Sequence, residues 1–112
     1  MLTFSVHRRG RDVFPFGGLK AAGPEERGEG TGAGRTVNLA WEQPDMGDAE
    51  YAYAWDRLLL PLVRAWRPQA VLVSAGFDAA AGDPLGEGAV TPAGFGRMTR
   101  ALAQEVQGGH QG

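Results

Sequence analysis

Two carboxylates that follow an apolar segment are the first candidates for chemistry in this sequence. Asp78 and Asp83 lie in the run Ser74–Gly86, which begins where the apolar segment Ala70–Ala75 ends. Ligands bind at the carboxyl ends of strands in open α/β sheets, so Asp78 stands where a site is expected. Spacing alone favours a structural role, in which Asp78 accepts backbone N–H bonds from residues 80–82, because aspartates in loops cap turns more often than they bind ligands. Asp83, which precedes a proline, is predicted to form a turn.

The two histidines do not define a metal site by themselves. His7 ends the first predicted strand beside two arginines, and a lone histidine of this kind is more often structural or solvated than a ligand. His110 lies in a glycine-rich tail, which we expect to be disordered. Zinc needs at least three protein ligands, and one histidine with one aspartate does not supply them.

Other motifs carry weaker signals. The glycine run 28–34 leads into a predicted strand and fits no phosphate-binding pattern, so we reject that function. Ser5 and Ser74 have no neighbouring base, which leaves serine hydrolysis unsupported. Phe14 and Phe16 could wall an apolar channel or pin a long loop to the core, and the sequence does not choose between these roles.

Composition describes an ordinary globular chain and excludes several classes. The chain has 112 residues, 43% hydrophobic and 21% charged, with no run of about 20 apolar residues that a membrane helix needs. No secretory signal peptide is expected. The absence of cysteine excludes disulfides and thiolate metal sites. A formal charge of −2 argues against nucleic-acid binding driven by bulk charge.

The elements that must position these residues indicate an α/β fold. Met1–His7 and Thr36–Ala40 are predicted strands, and Ala70–Ala75, apolar on both faces, is typical of a central parallel strand. With a helix over residues 48–66, the last two strands are expected to form a βαβ unit. Three strands and two helices cannot cover both faces of such a sheet, so we expect the chain to be part of a larger domain, truncated at both ends.

The two predicted helices have clear start and stop signals. Asp48 is the expected N-cap of the first helix, Pro61 is expected to kink it, and the residue before Pro68 is expected to end it. The second helix is expected to begin at the N-cap Thr91, with Pro92 in the first helical position, and to stop near glycine 108. The buried stripe of the first helix is predicted to contain Tyr51, Ala54, Trp55, Leu58, Leu59, Leu62 and Trp66.

Several collinear blocks resemble the zinc-dependent histone deacetylase family. The run VLVSAGFDAAAGDPLG is similar to the class II members, and within them to the catalytic domains of histone deacetylase 6. The blocks that resemble the family in the same order are FSVHRRGRDVFPFG (4–17), GTGAGRTVNLAW (30–41), MGDAEYAYAWDRLLLPL (46–62), VLVSAGFDAAAGDPLG (71–86) and VTPAGFGRMTRAL (90–102).

The resemblance implies the arginase/deacetylase fold, a mostly parallel sheet with helices on both faces. Residues 1–107 would form part of a catalytic domain, followed by a tail over residues 108–112. The implied reaction is hydrolysis of the acetyl group from ε-acetyl-lysine, with zinc held by two aspartates and one histidine. Zinc would activate a bound water, a histidine would act as general base, and a tyrosine would help to stabilise the oxyanion.

The resemblance also assigns roles to individual residues. Asp78 matches one of the two zinc-binding aspartates, which replaces the capping role that spacing alone favours. Phe14 matches an aromatic wall of the acetyl-lysine channel, and Leu85 an apolar residue at the pocket rim. Ser5 and the backbone carbonyl of Val6 match positions that line a site for a monovalent cation such as K⁺. His7 matches no zinc ligand.

No catalytic residue is expected within this chain. The family's paired histidines and D-x-H segment would lie upstream of Met1, and its GGY motif downstream, since Gly108-Gly109-His110 has the wrong spacing for that motif. The expected partners are acetylated lysines of histones, tubulin or other proteins, in the cytoplasm or the nucleus, without direct nucleic-acid or membrane binding. The chain alone is expected to be inactive. Two alternatives stay open: a non-catalytic interaction module derived from a deacetylase, and a polyamine deacetylase.

Overall fold

Two parallel strands form the sheet in the described part of the chain. The structure is a computed structural model that describes residues 1–10 and 23–109. Strands β1 (Thr3–Arg8) and β2 (Thr36–Trp41) pair in parallel, in a register that runs from Thr3 opposite Thr36 to Arg8 opposite Trp41. Both predicted strands are therefore confirmed, and their carboxyl ends meet at one edge of the sheet.

The first helix is continuous over residues 48–66, as predicted, but it contains a π-helical turn. It consists of α1 (Asp48–Ala54), the π turn Trp55–Leu59 and α2 (Leu60–Trp66). The amide of Leu60 donates to the carbonyl of Trp55, five residues earlier. Pro61 lacks an N–H donor and is therefore expected to kink the helix. In the structure the irregularity is this π turn, which ends two residues before Pro61.

The π turn changes which residues the helix buries. Tyr51 and Ala54 are buried as predicted, but the buried face resumes at Leu60 and Val63. Leu58, predicted to be buried, is instead exposed. A π turn adds one residue to the helix, so side chains beyond it are displaced from the regular spacing. The prediction of the buried stripe is therefore wrong for Leu58 and Trp66, which are exposed, while Leu59 and Leu62 are half-buried.

Asp48 does not cap its own helix. Gly47 occupies the N-cap position, and its amide donates to the side chain of Glu50 at 2.8 Å. The Asp48 carboxylate instead accepts hydrogen bonds from the amide of Thr91 at 2.8 Å and from its hydroxyl, and it pairs with Arg97 at 3.1 Å. The predicted N-cap role is wrong because the start of the second helix offers this carboxylate stronger partners.

The second helix, α3 (Pro92–Gly109), begins as predicted. The Thr91 hydroxyl accepts a hydrogen bond from the amide of Gly94 at 3.1 Å, which is the bond expected of an N-cap. The Trp55 indole donates to the carbonyl of Met98 at 3.1 Å and so joins the π turn to α3. Within the described ranges, no helix is both long enough and apolar enough to cross a membrane.

The predicted central strand Ala70–Ala75 is not formed. In the described part of the chain the sheet contains only β1 and β2, and residues 70–76 join no strand ladder. Leu72 is 98% exposed and Val73 is 69% exposed. A strand of this composition needs paired neighbours and covered faces, and the described residues supply neither. The βαβ unit predicted with β2 is therefore wrong for this structure.

Candidate metal centre

The turn that carries Asp78 is closed by backbone hydrogen bonds. Asp78 is the middle residue of the 3₁₀ turn Phe77–Ala79. The amide of Ala80 donates to the carbonyl of Phe77 at 3.0 Å, and the amide of Ala81 donates to the carbonyl of Val90 at 2.9 Å. Because these two amides already have carbonyl partners, Asp78 does not cap them, and the capping role that spacing favoured is not formed.

Val90 attaches this turn to the body of the chain. Its side chain is fully buried, and its amide donates to the carbonyl of Ala79 at 3.1 Å. The preceding residue, Ala89, donates from its amide to the carbonyl of Met46 at 3.0 Å. Residues 89–90 therefore connect the Asp78 turn to the segment that leads into α1.

An apolar pocket lies behind the turn. It has a volume of about 380 Å³ and is lined by Phe77, Ala80, Ala81, Val90, Pro92 and Phe95. The Phe77 and Phe95 rings meet edge to face, with their centroids 5.2 Å apart. This packing places the start of α3 directly behind the loop that bears the carboxylate.

The Asp78 carboxylate is chemically suited to a metal but does not make a complete site. Asp78 is exposed, and its carboxylate accepts no hydrogen bond from the described residues. Carboxylate oxygens are common ligands of Zn²⁺. Over residues 1–10 and 23–109, no group of three or more His, Cys, Asp or Glu side chains could hold a metal ion. The described residues can therefore supply one zinc ligand, Asp78, but not the three protein ligands of a complete site.

Tyr51, which its helical spacing predicts to lie in the core, has a raised pKa. Its side chain is buried and its ring lies 5.6 Å from that of Trp41, centroid to centroid. Burial raises the pKa of Tyr51, and the negative charge of Asp78 raises it further. Deprotonation of Tyr51 is therefore less favourable than that of an exposed tyrosine.

Asp83 forms the predicted turn and presents Leu85 to solvent. One oxygen of its carboxylate accepts hydrogen bonds from the amide of Leu85 at 3.0 Å and from the amide of Gly86 at 2.7 Å. Leu85 itself is 87% exposed. The rim position of this exposed apolar side chain stays a prediction.

The residues predicted to line a cation site lie within β1. Ser5 and Val6 are half-buried and pair with Asn38 and Leu39 of β2. The Ser5 hydroxyl and Nδ1 of His7 are hydrogen-bonded at 2.8 Å. The cation role of Ser5 and Val6 stays a prediction. Phe14 and His110 lie outside the described residues.

Two arginines at the carboxyl end of β1 make ion pairs that the sequence patterns did not reveal. Arg8 pairs with Glu87 at 2.9 Å, and Arg9 pairs with Glu25 at 3.1 Å. The first pair joins the edge of the sheet to the loop that follows Leu85. The side chains of Arg8 and Arg9 are 21% and 14% exposed, so both arginines belong to the packed edge of the sheet.

Comparison with known proteins identifies the family of this fold and loop. The family profile described as the histone deacetylase domain matches residues 1–110. The chain belongs to the histone deacetylase family. It is 43% identical over 112 residues to histone deacetylase 5 of Arabidopsis thaliana, covering 96% of this chain and 16% of that protein. It is 46% identical over 110 residues to polyamine deacetylase HDAC10 of Homo sapiens, covering 97% of this chain and 16% of that protein.

A solved structure of the same family confirms the fold. The crystal structure of the HDA15 HD domain superposes on this deacetylase-family chain with a TM-score of 0.86 and 40% sequence identity, covering 96% of this chain and 30% of that one. The predicted family and its arginase/deacetylase α/β fold are confirmed. The relatives are deacetylase hydrolases, and this chain spans about a sixth of the length of the two relatives named above.

Proposed function

We propose that this chain is part of a zinc-dependent protein-lysine deacetylase in which Asp78 is one of the metal ligands. The observation that carries the proposal is the state of this carboxylate. It is exposed in the middle of a turn that backbone hydrogen bonds close, and it accepts no hydrogen bond from the described residues. A structural aspartate would be engaged in the turn, as Asp83 is.

Zinc at this position would polarise the amide carbonyl and lower the pKa of a bound water. Asp78 would supply negative charge and one oxygen ligand. In this proposal the other two ligands, the general base and the oxyanion-stabilising tyrosine come from segments outside this chain, so the chain alone is inactive. Ser5 and Val6 would line a separate structural site for a monovalent cation such as K⁺.

The surroundings of Leu85 favour acetylated lysine over acetylated polyamine. A polyamine carries ammonium groups, and a rim that recognises them is expected to present an unpaired carboxylate. Here the rim residue is apolar, and the nearby carboxylate of Glu87 is paired with Arg8. An apolar rim suits the aliphatic stem of a lysine side chain. Phe14 is proposed to form the aromatic wall of the same channel.

A graft into a solved relative tests the proposal. The segment of the HDA15 HD domain that matches this chain is replaced by residues 1–110, and hydrolysis of an acetyl-lysine peptide is compared with that of an N-acetylated polyamine. We expect zinc-dependent hydrolysis of the peptide and little of the polyamine. Asp78→Asn should reduce the rate more than about 100-fold because a metal ligand is lost. Asp56→Asn is the matched control, since Asp56 is exposed on the π turn, and it should leave the rate unchanged.

Two results would contradict this function. An Asp78→Asn graft with full activity would remove the metal role of the residue. Preference for the acetylated polyamine would replace protein lysine as the substrate class. A histone substrate would require the protein in the nucleus, and a tubulin substrate would require it in the cytoplasm. Imaging of a tagged protein would show in which compartment it lies.

The exposed apolar segment 70–76 favours one second candidate, a non-catalytic interaction module. Leu72 and Val73 would then be contact residues for a partner. This candidate predicts that the purified chain unfolds cooperatively and forms a defined oligomer in analytical ultracentrifugation. An aggregated or non-cooperative sample would rule it out.

A further inference from the structure

The backbone of Gly86 lies directly against the backbone of Asp78. A Cβ atom placed on Gly86 would overlap the carbonyl oxygen of Asp78 and would lie 2.7 Å from its carbonyl carbon. Real Cβ atoms do not approach backbone atoms this closely, so any side chain at position 86 must push the two segments apart. The lack of a side chain at Gly86 therefore determines how near the two segments can come.

Gly88 makes a second close approach to the same turn. A Cβ atom on Gly88 would lie 2.8 Å from the carbonyl carbon of Ala79 and 2.9 Å from its Cα. The residue between the two glycines, Glu87, has a φ of 51°, a left-handed conformation that is uncommon for residues other than glycine. Residues 86–88 therefore combine two close backbone contacts at the glycines with an uncommon backbone conformation at Glu87.

Contacts with other parts of the chain hold this path in place. The Asp83 carboxylate accepts the hydrogen bond from the Gly86 amide at 2.7 Å. The Glu87 carbonyl accepts a hydrogen bond from the amide of Asp45 at 2.7 Å, and its carboxylate pairs with Arg8 at 2.9 Å. Residues 86–88 are therefore fixed to β1 and to the segment before α1 without any bond from the Asp78 side chain.

From this arrangement we infer that residues 86–88, and Gly86 above all, act as positioning residues that set the location of the Asp78 carboxylate. Asp83 supports them by holding the Gly86 amide. The inference rests on the proposed metal role of Asp78 and deepens it. Because Leu85 directly precedes Gly86, the same contact also fixes the separation between the metal ligand and the pocket rim.

The test compares two glycine variants of the full 112-residue chain by NMR, without metal. Gly86→Ala should shift the backbone resonances of Asp78 and Ala79. It should also reduce the hydrogen-exchange protection of the Val90 amide by about tenfold, because that amide donates to the displaced carbonyl of Ala79. Gly96→Ala is the control, since a Cβ atom there meets nothing within 4 Å.

A purely structural role for Gly86 gives a different result. The melting temperature would fall and all amides would lose protection in parallel, while the Asp78 and Ala79 resonances under native conditions would stay in place. That result, or unchanged resonances with unchanged protection, would overturn the inference. If Gly86→Ala does not fold, Asp83→Ala serves instead, because it removes the bond to the Gly86 amide without adding bulk, and the same two readouts apply.

The two proposals fail separately. The NMR readouts need no zinc, so an inactive graft would refute the proposed function and leave the positioning role intact. Unmoved Asp78 resonances would refute the positioning role and leave the zinc role intact.

Discussion

Val90→Ala is the substitution whose effect on stability is best defined by the structure. The Val90 side chain is fully buried, and its backbone makes hydrogen bonds to Ala79 and Ala81, at the end of the Asp78 turn and just after it. Alanine keeps those backbone bonds and removes two carbon atoms from the core. Transfer of two buried carbons costs about 1.6 kcal/mol, and the remaining cavity brings the expected loss of unfolding free energy to about 2 kcal/mol. The ratio of folded to unfolded chain should therefore fall about 30-fold.

Urea denaturation followed by tryptophan fluorescence measures this loss. Leu72→Ala is the control, because Leu72 is 98% exposed, and it should change the unfolding free energy by less than about 0.5 kcal/mol. A Val90→Ala variant as stable as the wild type would refute the assignment of Val90 to the core. A Leu72→Ala variant that loses as much stability as Val90→Ala would show that segment 70–76 is packed in solution.

Three further predictions concern charges and titrating groups. Hydrogen bonds from Thr91, followed by the charge of Arg97, hold the pKa of Asp48 below its ordinary value of 3.8. The stability that this carboxylate provides is present above that value and is lost as the pH falls through the lowered pKa. Asp48→Asn should therefore lower the melting temperature at pH 7, and its effect should diminish as the pH falls through that lowered pKa. Burial raises the pKa of Tyr51 above its ordinary value of 10. The stability that the neutral phenol provides is therefore present below pH 10 and is lost as the pH rises through the raised pKa. Tyr51→Phe should reduce this alkaline loss in a series of thermal melts at increasing pH, and the exposed Tyr53→Phe should not. The surface pair between Arg64 and Glu105, 2.6 Å apart, should show a coupling energy of about 0.5 kcal/mol in a double-mutant cycle, and the coupling should decrease in high salt.

Elements with local signals could be predicted from the sequence. Thr91 and the proline after it define the start of α3 through a hydroxyl and a preset φ, both of which act within one turn of helix. Asp83 forms its turn by bonds to amides two and three residues ahead. These interactions depend on neighbours in the chain, so their residue types and spacing are sufficient to predict them.

Features that depend on distant partners could not be predicted in this way. Asp48 has the sequence signature of an N-cap, but its partner Thr91 is 43 residues away. Segment 70–75 has the composition of a central strand, but composition does not show whether paired neighbours are present. The contact between Gly86 and Asp78 gives no periodic signal, because a close backbone approach is visible only in three dimensions.

The proposed ligand role of Asp78 rests on the family resemblance and not on the spacing of the residue. Spacing favoured turn capping, and the structure shows that the amides of Ala80 and Ala81 donate to carbonyl groups instead.

Bound zinc in the grafted HDA15 domain tests the central claim most directly. The domain that carries residues 1–110 is dialysed against metal-free buffer, and its zinc content is measured by atomic absorption alongside the Asp78→Asn and Asp56→Asn grafts. We predict stoichiometric zinc in the unsubstituted and Asp56→Asn grafts and loss of zinc in the Asp78→Asn graft. Stoichiometric zinc retained by a folded Asp78→Asn graft would contradict the assignment of this carboxylate as a metal ligand.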